Sequence, residues 1–175
     1  MKTTRFFIIA AIVGSMLAGC SKDDAKPKNA YIYKGKTTTV VWAGYYHENN
    51  KFYGIGIAPK APTGDICDED NLFCVAYPEA KLGFKCDLSQ INTIGMSPYS
   101  FWGGFKNNET FYWFNDVYKE DFAGTNSWVK LSKNTTSGEH NFTLEFEITF
   151  EGKRLTGNYT GNFQQYANLY EVVCD

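Results

Sequence analysis

Histidine is scarce in this chain, with only 2 residues, His47 and His140. Neither has a second histidine nearby, and no C-x-x-C pair occurs anywhere, which excludes the usual spacing of a zinc site. No G-x-S-x-G elbow is present to activate a serine. Gly54-Ile55-Gly56 is followed by Ile57-Ala58-Pro59, so it lacks both the third glycine and the helix start of a dinucleotide site. The acidic run Asp65-Ile66-Cys67-Asp68-Glu69-Asp70-Asn71 has no EF-hand order of ligands and reads as a hydrated loop, with no metal expected. Basic residues form no stripe along the chain, which argues against a nucleic-acid partner. Long amphipathic helical patterns, low-complexity runs and internal repeats are all missing.

One apolar run is present, and it lies at the start. Lys2 and Arg5 precede an apolar stretch over residues 6–17, and Ala18 and Gly19 supply a small-residue exit before Cys20. At roughly a dozen residues the run falls short of the ~20 needed to span a bilayer, so it reads as an export signal that is later removed. Leu17-Ala18-Gly19-Cys20 resembles the lipobox of bacterial lipoproteins. That resemblance covers the N-terminus alone; it implies cleavage before Cys20, diacylglycerol on its sulfur and a membrane-anchored product. Each buried methylene contributes about 0.8 kcal/mol, so two or three acyl chains hold far more firmly than a single myristoyl group. Ser21-Lys22-Asp23-Asp24 resembles the surface-export signal of lipoproteins from the Bacteroidota group, implying an outer-membrane protein displayed outward. The expected organisation is a signal peptide over residues 1–19, a lipidated flexible tether over 20–29 and one domain over 30–175. Removing Lys2 and Arg5 leaves 15 basic against 19 acidic residues, a mature net charge of −4.

Strand signals dominate that domain. In residues 141–151, Phe142, Leu144, Phe146, Ile148 and Phe150 alternate with Thr143, Glu145, Glu147, Thr149 and Glu151, the pattern of a strand with one wet face. After a turn at Glu151-Gly152-Lys153, a second strand places Leu155, Gly157, Tyr159, Gly161 and Phe163 inward. Further strands are expected over residues 37–46, 52–58, 72–77, 110–118, 128–132 and 169–174, with a short helix within 78–90. About eight strands, with Gly157 and Gly161 permitting sharp coiling, predict an all-β fold: an antiparallel up-and-down barrel of lipocalin-like architecture, or else a two-sheet sandwich. The lipocalin Gly-x-Trp entry motif is not matched by Trp42-Ala43-Gly44, so the resemblance is architectural only.

Cys67, Cys74, Cys86 and Cys174 remain after Cys20, an even number in an exported chain, which points to disulfides. The expected pairs are Cys67 with Cys74 and Cys86 with Cys174. Aromatic residues make up 17% of the chain and crowd into two stretches, Tyr99-Ser100-Phe101-Trp102 and Phe111-Tyr112-Trp113-Phe114. One strand face cannot bury so many rings. Tyr99, Trp102, Tyr112 and Trp113 are therefore candidates for stacking on a glycan or lining a pocket for a small apolar ligand. The leading expectation is a non-enzymatic surface lipoprotein that binds a ligand or partner and needs no cofactor. A carbohydrate-binding accessory protein is the alternative, and a hydrolase using His47 or His140 comes behind both.

Overall fold

The computed structural model describes residues 27–49, 51–63, 71–90, 102–107, 110–113, 122–150 and 152–167. It is all-β. The strands are β1 (Ala30–Tyr33), β2 (Lys36–Thr39), β3 (Trp42–Glu48), β4 (Phe52–Ala58), β5 (Phe73–Pro78), β6 (Cys86–Asp87), β7 (Trp102–Asn107), β8 (Thr110–Trp113), β9 (Trp128–Lys133), β10 (Asn141–Phe150), β11 (Lys153–Asn162) and β12 (Gln164–Gln165). They form two six-stranded sheets, ordered β2-β1-β11-β10-β9-β6 and β12-β3-β4-β5-β7-β8. All pairings are antiparallel except β12 with β3.

The alternation read in residues 141–163 is realised as the β10–β11 hairpin, with Ile148 opposite Leu155 and Phe146 opposite Gly157. Its apolar positions are closed from solvent: Phe142 and Leu144 are 0% exposed, Phe146 1% and Ile148 2%. On the wet face Thr143 and Thr160 approach to 3.1 Å, and Arg154 donates to Glu147 at 2.9 Å.

The expected barrel does not close. A single strand over residues 37–46 would have carried one sheet onward, but the chain breaks at Val40 and Val41 and enters the other sheet as β3. Val40 is 5% exposed and joins the core, whereas Val41 is 68% exposed. The Val40 N–H donates to the Asn29 carbonyl beside β1 at 2.8 Å and the Val41 N–H to the Ala58 carbonyl of β4 at 3.0 Å. The change of partner marks the change of sheet, and the result is the two-sheet alternative. The segment expected to hold a helix instead contains two single turns of 3-10 helix, Glu79–Lys81 and Leu88–Gln90, around the short β6. Strands β1, β6, β7 and β12 were not expected. The strand foreseen at 169–174 lies outside the described residues.

One hydrophobic core lies between the sheets. Phe73 of the second sheet stacks on Phe146 of the first at 4.1 Å between centroids. Tyr31 and Tyr33 meet Phe105 at 5.5 and 5.0 Å. Gly157 makes room for this packing: a Cβ there would lie 2.5 Å from the Phe146 ring and 2.8 Å from Tyr31 Cβ. The sole buried polar residue among those described, Ser127, is satisfied; the Thr149 N–H donates to its Oγ at 2.8 Å.

Among the described residues no disulfide is present, and Cys74 and Cys86 are both buried; the partner expected for each, Cys67 and Cys174, lies outside the described residues. Cys86 faces the core, where its thiol donates to the Tyr77 hydroxyl at 3.3 Å. Burial pushes the Cys86 thiol above its ordinary pKa, which keeps it a protonated, unreactive thiol.

Two outcomes follow from this packing. Gly157→Ala must displace the β-carbon of Tyr31 and the Phe146 ring, and is expected to cost about 1–3 kcal/mol, read as a lower urea midpoint at unchanged m-value. The second concerns alkali. Burial pushes the Tyr31 phenol from 10.0 up to about 12 and raises Tyr77 as well. A phenol held neutral in the folded state contributes stability that is complete below pH 10 and lost as pH rises towards 12, because the unfolded chain ionises first. Urea midpoints measured across that range are expected to fall, and less steeply in Tyr31→Phe.

Candidate functional site

Both histidines come to one end of the sandwich. On β3, Tyr45 and His47 alternate onto the core-facing side, and across the hairpin His47 pairs in register with Tyr53 of β4. Direct cross-strand partners bring side chains together. The His47 imidazole accordingly lies flat on the Tyr53 ring, 4.1 Å between centroids and 6° between planes. The 3-10 turn after β5 supplies Glu79, whose N–H donates to the Lys51 carbonyl at 3.0 Å and ties that turn to the β3–β4 hairpin. Its Oε2 stands 3.1 Å from His47 Nε2, a charge-pair approach lacking the alignment of a hydrogen bond.

His140 arrives from the other sheet, in the loop before β10. Its Nδ1 is 2.7 Å from the Tyr45 hydroxyl. The hydroxyl donates when the ring carries its proton on Nε2 and accepts when Nδ1 carries it. Where the chain crosses from β11 to β12, the Phe163 N–H donates to the His140 carbonyl at 2.9 Å and the Tyr166 N–H to the Tyr45 carbonyl at 2.8 Å. The crossing therefore fixes both partners of the pair. Beneath them Phe142 packs on Tyr45 and Tyr53 at 5.1 and 5.6 Å, and on Phe163 at 5.4 Å.

The electrostatics keep both phenols neutral. Burial raises the Tyr45 pKa, with the Glu139 carboxylate adding to it; burial also raises Tyr53, with Glu79 and Tyr45 adding. Tyr45 and Tyr53 are 5% and 4% exposed, while His140 stands open to solvent. The arrangement offers a buried phenol coupled to an exposed imidazole and a second imidazole beside a carboxylate. It can donate and accept hydrogen bonds at a solvent-open edge. Among the described residues no group of three or more His, Cys, Asp or Glu side chains converges as metal ligands.

The aromatic candidates fall elsewhere. Trp102 opens β7 opposite Ala76; on the edge strand β8, Tyr112 lies opposite Phe105 and Trp113 opposite Gly104. Tyr99 lies outside the described residues, as does Cys20. The Trp102 and Trp113 positions share a register parity with Gly44, Gly56, Ala58, Cys74 and Ala76, small residues that are all buried. Trp42 belongs to this row. A Cβ on Gly44 would lie 2.5 Å from the Trp42 ring and 2.7 Å from Tyr166, so glycine is needed there. The Trp42 indole N–H, in a side chain 6% exposed, has no hydrogen-bond partner among the described residues.

The expected strand bounds leave His47 and His140 between strands and give Tyr45, Tyr53 and Glu79 no role in a site. A signal was present: Tyr45-x-His47 puts two rings on one strand face, and the short turn to Phe52 brings Tyr53 opposite His47. The contact to His140 had no sequence signal, since it crosses between sheets. No protein-family model, characterised protein or solved structure matches this chain.

Replacing Tyr45 by Phe removes one hydrogen bond and leaves the ring packing intact. Unfolding free energy is expected to fall by about 0.5–1.5 kcal/mol, and the nitrogen NMR shifts of the His140 ring should move towards those of a free imidazole.

Proposed function

We propose that the mature chain is a lipoprotein of the outer membrane, anchored through Cys20 and displayed at the cell surface, whose β domain serves as a non-enzymatic binding module. The observation that carries this reading is the N-terminus: a basic start, an apolar run too short to span a bilayer, then Leu17-Ala18-Gly19-Cys20 and the acidic Ser21-Lys22-Asp23-Asp24. An anchored body works by holding a ligand or partner close to the membrane. The character of the domain supports that role. Between the sheets, rings pack directly on one another, as Phe73 does on Phe146, so the reading puts ligand contact on the exterior. There the Tyr45–His140 pair, with Glu139 beside it, offers neutral and acidic hydrogen-bonding groups at a solvent-open end. Such groups suit a polar, uncharged or cationic ligand better than an anion.

The reading is tested on protein purified from its native membrane. Mass spectrometry is expected to find Cys20 as the first residue, carrying a diacylglyceryl thioether, and Cys20→Ser is expected to leave the membrane fraction. An unmodified Cys20 thiol with residues 1–19 still attached would refute the proposal.

A further inference from the structure

The chain entering β1 is clasped onto one face of the body. Leu155, Gly157 and Tyr159 of β11 turn towards the core, so Asn158 and Thr160 lie on the outer face of the first sheet. Asn29 adopts a φ of 50°, in the left-handed region that asparagine tolerates better than most residues, and turns the preceding chain out of line with β1. Its N–H donates to Asn158 Oδ1 at 3.0 Å, and its Nδ2 donates to the Thr160 carbonyl at 3.2 Å. The Thr160 N–H donates back to Asn29 Oδ1 at 2.9 Å, Asn158 Nδ2 donates to the Pro27 carbonyl at 2.7 Å, and the Val40 N–H donates to the Asn29 carbonyl at 2.8 Å. The side chain of Asn29 thus takes the place of a backbone rung on β11, and Pro27 is pinned over Asn158.

We propose that this clasp presents the outer face of the first sheet, around Asn158, Thr160, Thr143 and Glu145, to the headgroup layer of the bilayer that holds Cys20, with the second sheet turned away from it. The inference rests on lipid attachment at Cys20. Between Cys20 and Pro27 lie seven peptide steps, about 25 Å at full stretch at ~3.3–3.6 Å per residue. A tether that short, leaving from one face, does not let the body turn over freely. The second sheet stands behind the first by the ~10 Å of packed sheets. The face itself fits a zwitterionic surface. Lys130 pairs with Glu145 at 3.8 Å and Arg154 with Glu147 at 2.9 Å, so its charges balance. Hydroxyls of Thr143 and Thr160 and amides of Asn141, Asn158 and Asn162 add donors and acceptors for phosphate and ester oxygens. Such a face sits on headgroups and does not enter hydrocarbon.

The lipidated full chain, bound to phosphatidylcholine nanodiscs doped with a nitroxide-headgroup lipid, tests this by amide NMR. Amide signals of Thr143, Glu145, Asn158 and Thr160 are expected to lose intensity, while those of Ile55, Val75 and Ala76 in the second sheet keep theirs. Equal losses in both sheets, or greater loss in the second, would overturn the proposed orientation. Asn29→Ala combined with Asn158→Ala, and separately a twenty-residue Gly/Ser insertion between Asp24 and Ala25 in the otherwise unchanged chain, are each expected to abolish the difference. The insertion leaves the clasp intact, so a difference surviving it also counts against the proposal. Failure to bind the discs at all refutes the lipid anchor itself, a result distinct from binding in the wrong orientation.

Discussion

The contact of Phe146 with Phe73 and Gly157 is the constraint from which the rest of the architecture follows. Phe146 sits in the middle of β10, and its ring both stacks on the opposite sheet and covers a bare stretch of backbone in its own. Full burial of such a ring contributes about 1.5–3 kcal/mol, and stacking adds about 0.5–1.5 kcal/mol. Its larger effect is geometric. A ring that must touch Phe73 on one side and Gly157 on the other fixes both the spacing of the sheets and the register of the hairpin. Tyr31 then lies beside Gly157, which sets β1 against β11 and, through Asn29, sets where the chain leaves the body.

The same crossing of layers builds the polar end. Tyr45 belongs to one sheet and His140 to the loops of the other, and the backbone passing from β11 to β12 bonds to both. Their proximity is therefore a property of sheet packing, reinforced by Phe142 beneath. Two phenols are kept protonated by burial and neighbouring carboxylates, while one imidazole stays in water. The body thus combines an apolar interior with a hydrogen-bonding end and a face of paired opposite charges.

Much of this was legible locally. Period-two alternation in residues 141–163 identified the hairpin, its inward residues and its turn, because a strand with one buried face writes its geometry directly into the sequence. The barrel expectation came from the same strands and went wrong at Val40 and Val41. Two adjacent β-branched residues read equally well as continuous strand or as the point where a chain changes sheets, and only their backbone partners, Asn29 for Val40 and Ala58 for Val41, decide. Cysteine count gave no sign of where each thiol sits: Cys86 lies inside the core, donating to the Tyr77 hydroxyl.

The sequence by itself determined the all-β class and the central hairpin with its inward residues. Each of these depends on residues close together along the chain, where composition and spacing act directly. The tertiary structure alone decided that two open sheets form in place of a barrel, that His140 meets Tyr45, and that Pro27 is held by Asn158. Those pairings join positions 95 and 131 residues apart; such contacts leave no periodic trace in the chain, because what brings them together is the packing of one sheet on another.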